Sequence, residues 1–212
     1  PEQIFTTCQE ILAHFRKKVD KLAGIGLTGQ MHGILYVDRE GCALSPLFTW
    51  QDGRGDLTYQ DGQTYSEFIT ALTGCRMSTG FGLTTHFYNL KHGLVPHNAK
   101  SICTIADYLA LRLCGLSIPV IHRSLAQSLG LFNLESDQFD LEALQVLQIP
   151  SDILPQVASA EIQIGHTKGF PVCIPIGDNQ ASFLGALQPG AKVVINIGTG
   201  GQLSALSDEI LD

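Results

Sequence analysis

Apolar residues recur at helical spacing near the start of the chain, which predicts an amphipathic helix. The residues on this apolar face are Ile4, Cys8, Ile11, Leu12, Phe15, Val19 and Leu22. Residues 23–27 follow as a short apolar run and predict a buried strand. A helix followed by a buried strand is typical of an α/β layer.

The middle of the chain predicts a hairpin and four helices. Two extended runs flank a polar turn within residues 33–50, which is the pattern of a hairpin. Helices are predicted over residues 65–73, 84–92, 104–114 and 141–147. Gly74, Gly93 and Gly115 stand where a left-handed cap would end three of these helices, and Thr104 can cap the start of the third, with Asp107 in its first turn.

The last third predicts a loop and then a compact α/β unit. Residues 149–171 are rich in proline, glycine and small side chains, which indicates mostly loop. Strands are predicted at 172–176 and 193–197. A turn at 177–180 and a helix over 181–187 lie between them.

Composition and charge narrow the range of functions. Hydrophobic residues make up 44% and charged residues 16%, a balance that suits a globular protein with a core. The formal net charge is -7 and Arg16-Lys17-Lys18 is the only basic cluster, so neither nucleic acid nor an anionic membrane is expected as a partner. Because no signal peptide or membrane-length apolar run is present, we expect a cytoplasmic protein.

The cysteines and histidines do not predict a metal site. None of the six cysteines forms a CxxC pair, and most have apolar neighbours, so we expect buried free thiols in a reducing compartment. His86, His92 and His97 lack the HExxH spacing and are interpreted as surface or structural residues.

Asp178 stands where a predicted strand ends and a helix begins. In open α/β sheets, ligands bind beyond the carboxyl ends of the strands. A partly desolvated carboxylate at this point, near a positive helix terminus, could accept a proton from an alcohol. The alternative is that Asp178 only caps the helix, which aspartate often does.

Two glycine-containing segments are candidate ligand loops. Residues 196–201 (NIGTGG) end a strand and expose backbone N–H groups that could cradle phosphate oxygens, although they match neither a Walker A loop nor GxGxxG. Residues 29–33 (GQMHG) follow the strand at 23–27, and Gln30 and His32 can bind hydroxyl groups while Met31 supplies apolar contact. A tight turn and a structural loop are the respective alternatives.

The single tryptophan begins a third candidate segment, residues 50–54 (WQDGR). The indole of Trp50 offers an apolar platform for sugar C–H groups, while Gln51, Asp52 and Arg54 offer hydroxyl partners. The alternative is a core tryptophan beside a surface pair of Asp52 and Arg54.

Taken together, in this order and spacing, four segments resemble the FGGY carbohydrate kinases. Residues 26–33 (GLTGQMHG) resemble the family's sugar-binding strand and loop, and residues 50–54 resemble its W-[NQ]-D-x-R segment. Residues 177–179 resemble its G-D-[NQ] catalytic turn, and residues 198–201 (GTGG) its second phosphate loop. Residues 50–54, with Thr79-Gly80-Phe81-Gly82, are most similar to the sedoheptulokinase branch, and Gln30-Met31-His32-Gly33 is shared with xylulokinases.

The resemblance implies an α/β fold of the actin/RNase H-like class, with the active site between two domains. It implies transfer of the γ-phosphate of ATP, with Mg²⁺, to a terminal hydroxyl of a ketose, with Asp178 as the general base. The implied sugar-binding residues are Gln30, Met31, His32, Trp50, Gln51, Asp52, Arg54 and Asn179. The implied ATP-phosphate loop is Gly198, Thr199, Gly200 and Gly201.

The chain also departs from the family pattern. It contains no D-x-G-T-T/S loop, and both of its ends look cut, so we expect residues 1–188 to be a sugar-binding domain without its first strands and 189–212 the start of the nucleotide-binding domain. The chain alone is then expected to be marginally folded and inactive. Two other hypotheses are a non-catalytic sugar-binding module or pseudokinase, and a metal hydrolase using Asp52, Asp178 and His32, against which the lack of a compact ligand motif argues.

Overall fold

The computed structural model describes residues 1–19, 23–158, 160, 162–197 and 201–207. In these ranges the α-helices are α1 (Glu2–Arg16), α2 (Tyr65–Thr73), α3 (Gly82–Lys91), α4 (Ile105–Cys114), α5 (Arg123–Leu129), α6 (Leu141–Val146) and α7 (Asp178–Ala186). The first strands are β1 (Thr28–Gly29), β2 (Leu35–Val37), β3 (Thr58–Gln60), β4 (Gln63–Thr64), β5 (Ser101–Cys103), β6 (Val120–His122), β7 (Phe132–Asn133) and β8 (Gln138–Phe139). They are followed by β9 (Gln156–Ala158), β10 (Gln163–Thr167), β11 (Phe170–Cys173), β12 (Ile176–Gly177), β13 (Val193–Ile197) and β14 (Gly201–Ala205). Short 3₁₀ helices cover Gly53–Asp56 and Ser151–Ile153.

Helices α2 and α4 begin and end where the sequence predicts. Thr64 caps α2 and Thr104 caps α4, each in a capping box with the acidic residue three positions on. Gly74 and Gly115 end the two helices in the left-handed conformation, with φ of 73° and 65°. Local chemistry therefore fixes both ends of each helix.

Three other predicted elements are also confirmed. The helices predicted at 84–92 and 141–147 are present as α3 and α6. The hairpin within 33–50 is present as an antiparallel arrangement in which Ile34 bridges Phe48.

Helix α1 is confirmed, but only part of the predicted apolar face is buried. Cys8 and Leu12 of that face pack against a core cluster. Phe5 is the buried residue of α1, and it packs in this cluster with residues of β2 and α4. Leu22 lies outside the described residues. Four residues of the predicted face are more than two-fifths exposed, namely Ile4, Ile11, Phe15 and Val19.

The main core lies where α2, α3 and α5 meet. Ile69 of α2, Phe87 of α3 and Leu125 of α5 are at most 1% exposed and belong to one cluster with Tyr36 of β2. Burying side chains of this size stabilises the fold by about 1.5–3 kcal/mol each. Met31, in the loop that follows β1, and Phe48, in the hairpin, pack against this cluster.

The sheet pairings bring distant parts of the chain together. β1 runs parallel to β12, with Thr28 opposite Ile176 and Gly29 opposite Gly177. β6 runs parallel to β9, and β2 runs antiparallel to β5. The parallel pairs are the α/β feature that the sequence predicts.

Several predicted boundaries near the end of the chain are wrong. Residues 149–171 are not mostly loop, because they contain β9, β10 and the start of β11. The strand predicted at 172–176 is divided between β11 and β12, and the helix predicted over 181–187 begins at Asp178. The strand predicted at 23–27 shows only a bridge from Ile25 to Val172 before β1. Pairing with a partner strand decides these elements, and single-chain patterns do not contain that information.

The prediction of buried thiols is wrong for most of the cysteines. All six are free, but only Cys103 is buried, while Cys42 and Cys173 are exposed. Burial raises the pKa of the Cys103 thiol well above its usual range. Apolar neighbours in the sequence do not predict burial for these two cysteines, because Cys42 lies beside a turn and Cys173 at the end of a strand.

Two buried titratable groups shift their pKa in opposite directions. Burial raises the pKa of Asp107 from 3.8 to about 7, against the opposing effect of its hydrogen bonds from Thr104. Burial lowers the pKa of His86 from 6.5 to about 4. Asp107 therefore contributes stability below pH 3.8 that is lost as the pH rises to about 7. His86 contributes stability above pH 6.5 that is lost as the pH falls to about 4.

The two groups are expected to have opposite effects on the pH dependence of stability. As the pH rises from 5 to 8, the free energy of unfolding of Asp107→Asn should increase by about 3 kcal/mol relative to that of the unchanged protein, because the substitution removes the cost of ionising a buried carboxyl. His86→Asn should lose about 2 kcal/mol relative to it over the same interval. Urea unfolding of the unchanged protein and both variants at pH 5 and pH 8 measures these differences. If the free energy of unfolding changes equally with pH in all three proteins, the two pKa shifts are wrong.

Candidate active site

The candidate site forms at the carboxyl ends of β1 and β12. Because these strands are parallel neighbours, the segment after Gly29 and the segment after Gly177 emerge side by side. The side-chain nitrogen Nδ2 of Asn179 lies 3.6 Å from the sulfur of Met31. A Cβ at Gly177 would lie 3.1 Å from Cγ of Met31, so glycine permits the close approach of the two segments. The structure therefore joins the loop at 29–33 to the turn at 177–180, as one site requires.

His32 is held in a specific orientation. Its φ is 73°, the left-handed region that non-glycine residues rarely adopt. Its backbone N–H donates to Oγ of Ser128 at 3.0 Å, and its ring stacks on Phe81 with centroids 4.8 Å apart. Nδ1 lies 2.8 Å from the carbonyl oxygen of Ser128, and since a carbonyl only accepts, Nδ1 carries the proton. Nε2 is then the ring atom left to hydrogen-bond a ligand.

A cavity of about 590 Å³ opens beside these residues. Its lining includes Met31, His32, Arg76, Phe81, Ser128 and Asn179. It combines aromatic and thioether surface with imidazole, hydroxyl, amide and guanidinium groups, a combination that suits a small polyhydroxylated ligand. Three of the predicted sugar-binding residues thus share one cavity.

Asp178 occupies the first position of α7, but its environment differs from the prediction. Its side chain is exposed, so the expected partial desolvation is wrong in the described structure. The N-cap of α7 is Gly177, without a side-chain cap, so the interpretation of Asp178 as the helix cap is also wrong. Oδ1 of Asp178 accepts a hydrogen bond from the N–H of Asn179 at 2.8 Å, and Oδ2 remains open to solvent or ligand.

Trp50 and Gln51 lie on the surface, at the end of the hairpin. Trp50 is 55% exposed, so the alternative of a core tryptophan is wrong. Gly80, with φ of 81°, packs against this segment so tightly that a Cβ would lie 2.1 Å from the carbonyl oxygen of Trp50. Phe81, the next residue, lines the cavity beside His32. Trp50, Gln51, Asp52 and Arg54 are not among the residues that line this cavity.

Asp52 and Arg54 form a half-buried ion pair. Nε of Arg54 lies 2.7 Å from Oδ1 of Asp52, and the two side chains are 19% and 14% exposed. The guanidinium also stacks on the rings of Phe48 and Tyr88, with distances of 4.5 Å and 5.2 Å to the centroids. The pair predicted as a surface alternative therefore exists, but aromatic rings enclose its cation.

A chain of hydrogen bonds continues from Arg54 into the core. Nη1 of Arg54 donates to Oδ1 of Asn89, and Nδ2 of Asn89 donates to the hydroxyl of Tyr36 at 3.1 Å. The Tyr36 hydroxyl therefore donates to Nδ1 of His86, 2.9 Å away. Burial raises the pKa of Tyr36 to about 12 and keeps His86 neutral, which matches this direction of donation. His86 is thus structural, as the sequence predicts.

Two buried amide atoms of the site have no partner among the described residues. Nε2 of Gln30 and Oε1 of Gln180 are buried without a hydrogen bond. Gln30 follows β1 and Gln180 lies in the first turn of α7, so both flank the point where the two loops meet. Buried amide atoms are normally satisfied, and a bound polar ligand is one group that would satisfy them.

The predicted phosphate loop is only partly described. Gly198, Thr199 and Gly200 lie outside the described residues, and Gly201 is the exposed first residue of β14. A second cavity of about 490 Å³ lies between α7 and β14, and Asn179 lines both cavities. Gln180, Gln202 and Ser204 add neutral hydrogen-bonding groups to the second cavity.

The described ranges contain no group of three His, Cys, Asp or Glu side chains that could hold a metal ion. The ring of His92 hydrogen-bonds the Tyr65 hydroxyl at 2.8 Å, and His97 contacts Asn98. None of the helices in the described part of the chain has both the length and the apolarity needed to cross a bilayer.

Sequence reasoning missed the residues that support the site from behind. Helix α5 was not predicted, yet Ser124 and Ser128 on it contact both loops. The helix predicted over 84–92 contains Asn89, but the sequence pattern assigns this side chain no role. An asparagine at a helix position where an apolar residue is expected is the available signal for Asn89, and it does not reveal that Arg54 and Tyr36 are its partners.

The fold is α/β, of the actin/RNase H-like class. The family model described as "FGGY family of carbohydrate kinases, N-terminal domain" matches residues 1–185, and the chain belongs to this family.

Individual relatives agree with this assignment. The sedoheptulokinase of Mus musculus is 34% identical over 233 residues, which cover 96% of this chain and 46% of that protein. Ligand-bound xylulose kinase from Lactobacillus acidophilus superposes with a TM-score of 0.79 at 24% identity, over 96% of this chain and 44% of that one. Plasmodium falciparum glycerol kinase with ADP superposes with a TM-score of 0.68 at 20% identity, over 86% and 40%. The chain spans less than half the length of each of these proteins.

Proposed function

We propose that the protein containing this chain transfers the γ-phosphoryl group of ATP to a terminal hydroxyl of a ketose. The observation that carries this proposal is the parallel pairing of β1 and β12, which brings Met31 and His32 into one cavity with Asn179, the residue after Asp178. Polyol-binding groups and a carboxylate at one sheet edge are the parts that such a transfer needs.

Asp178 acts as the general base in this proposal. Its carboxylate accepts the proton of the sugar hydroxyl as the hydroxyl oxygen bonds to the γ-phosphorus. The bond from that phosphorus to the bridging oxygen breaks, and ADP leaves with the electron pair. Asn179 and Nε2 of His32 hold neighbouring hydroxyls, so the attacking oxygen is positioned before transfer.

The remaining predicted contacts divide into platform and support. Met31 and the exposed indole of Trp50 offer apolar surface, and Gln30 and Gln51 offer amides to sugar hydroxyls. Asp52 offers its carboxylate, whereas the guanidinium of Arg54 is engaged by Asp52 and Asn89. The role of Arg54 in this proposal is to hold the carboxylate of Asp52 in one orientation.

ATP and Mg²⁺ belong to the proposal through the family. Gln202 and Ser204, on the strand that begins at Gly201, provide neutral donors that suit phosphate oxygens, and Gly198–Gly200 precede them in the chain. Mg²⁺ supplies charge neutralisation on the phosphates when bound. The described residues form no cluster fit to hold the ion, so we assign it no ligand and derive no step through it.

The favoured ketose is sedoheptulose, with xylulose second. The 34% identity to a sedoheptulokinase supports this order. Domains at 1–188 and 189–212 remain part of the same proposal, the first carrying the sugar site.

The test is ADP release by the complete gene product with Mg-ATP and a panel of sedoheptulose, xylulose, ribulose, glycerol and gluconate. The expected result is turnover of a ketose, with the highest kcat/KM for sedoheptulose. Turnover of glycerol or gluconate alone would overturn the ketose assignment. A folded protein that binds a ketose by calorimetry without any turnover would instead establish the sugar-binding module.

A further inference from the structure

Helix α5 contacts both loops of the candidate active site from below. It packs against α3, β6, β7, β9 and β12, so its position in the fold is fixed from several sides. Ser124, in its first turn, contacts the turn that carries Asp178, and Ser128, one helical turn later, contacts the loop that carries His32. Residues four apart lie on the same face of a helix, so one face serves both loops.

Ser124 holds the start of the catalytic turn. It is 8% exposed, and its Oγ accepts the backbone N–H of Gly177 at 3.2 Å. His122 caps α5 through a ring nitrogen that accepts the N–H of Ser124, so the Ser124 hydroxyl donates to that nitrogen, 2.9 Å away. The hydroxyl of Ser124 thus donates its proton to His122 and accepts the N–H of Gly177, the residue before Asp178.

Ser128 holds the sugar loop. It is 3% exposed, and its Oγ accepts the N–H of His32 at 3.0 Å while donating to the carbonyl of Leu125 at 2.7 Å. Its own carbonyl accepts Nδ1–H of His32 at 2.8 Å. The left-handed conformation of His32 is unfavourable for a residue with a Cβ, so it persists only where surrounding contacts require it. Ser128 supplies those contacts to both the backbone and the ring.

We propose that Ser124 and Ser128 are positioning residues that lock the base and the sugar loop to one helix and so set the distance between them. This inference rests on the proposed function of Asp178 and His32. Ser128 lines the first cavity and Ser124 the second, but the hydroxyl groups of both are engaged by protein groups, so both act through the residues they hold. A displacement of about 1 Å in a reacting group lowers turnover about a hundredfold, which makes such fixation effective.

The two serines should have separable kinetic effects in the complete gene product. Ser124→Ala should lower kcat for the ketose at least tenfold with KM within threefold, because the base moves while the sugar loop stays. Ser128→Ala should raise KM at least tenfold with kcat within threefold. Ser128→Thr, which keeps the hydroxyl, should recover most of the loss. The matched control is Ser101→Ala. Ser101 is a buried serine whose hydroxyl proton is shared between the carbonyl oxygens of Ile102 and Ile153, away from both loops.

Amide hydrogen exchange tests the same contacts without turnover. The N–H groups of His32 and Gly177 should exchange at least tenfold faster in Ser128→Ala and Ser124→Ala, respectively, and each should remain unchanged in the other variant and in Ser101→Ala. Unchanged exchange at both amides overturns the inference, as do kinetic changes equal to those of Ser101→Ala. If the unchanged protein phosphorylates no sugar but the exchange effects are present, the proposed function fails while the support of both loops by α5 stands.

Discussion

Asp178→Asn is expected to lower kcat for the ketose about a thousandfold in the complete gene product, since a positioned general base contributes about 10²–10⁴ to rate. Asparagine keeps the size of the side chain and an oxygen that can accept the N–H of Asn179, a bond of 2.8 Å in the structure. The turn should therefore persist, and only the capacity to take a proton is lost. KM for the sugar should change less than threefold, which steady-state ADP release measures.

The control for loss of one negative charge is Asp61→Asn. Asp61 is an exposed residue between β3 and β4 with φ of 52°, a conformation that asparagine tolerates as well as aspartate does. The kcat of Asp61→Asn should stay within twofold of that of the unchanged enzyme. A kcat of Asp178→Asn within tenfold of the unchanged enzyme would remove Asp178 from the role of base.

Arg54→Lys is expected to lower kcat/KM for the ketose about a hundredfold. Arg54 uses Nε for Asp52 and Nη1 for Asn89, two ends of one planar group, and lysine offers a single ammonium that cannot serve both. A hydrogen bond to a charged group contributes about 1.5–3 kcal/mol, which corresponds to about 10–100-fold in kcat/KM. In the proposed function Asp52 binds the sugar, and the substitution would remove the ion pair that fixes its orientation.

The matched control for this substitution is Arg39→Lys. Arg39 is an exposed arginine in the turn of the hairpin, and its exchange for lysine should leave kcat/KM within twofold. If Arg54→Lys keeps kcat/KM within threefold while binding of the ketose is intact, Asp52 does not depend on this pair and the assignment is wrong.

The sequence predicted those features that local chemistry decides. The caps of α2 and α4 follow from Thr64 and Thr104 with an acidic residue three positions on, because the capping box satisfies its own hydrogen bonds. The passage from a strand to a helix near Gly177 and Asp178 was also recognisable, although the predicted turn at 177–180 is the end of β12 and the first turn of α7. These elements need no information from the rest of the fold.

Features that depend on distant partners were not predictable. The strands in residues 149–171 exist because β9 pairs with β6 and β10 pairs with β11, and a proline- and glycine-rich pattern conceals such pairing. The exposure of Asp178 depends on what packs around the turn, which residue type does not determine. Ser124 and Ser128 resemble ordinary helix serines until β12 and the loop after β1 are placed beside them.

The pairing of β1 with β12 also determines when a sugar can act on the nascent protein. Met31 and Asn179, which meet in the site, are 148 positions apart in the chain. Closing so long a loop costs entropy that grows as about (3/2)RT ln n, and contacts of such separation form late in folding. During translation, a chain that has not yet reached α7 lacks Asp178 and Asn179. On the proposed function, the complete set of sugar contacts therefore forms only once that helix has left the ribosome, and only then can the sugar stabilise the fold through all of them.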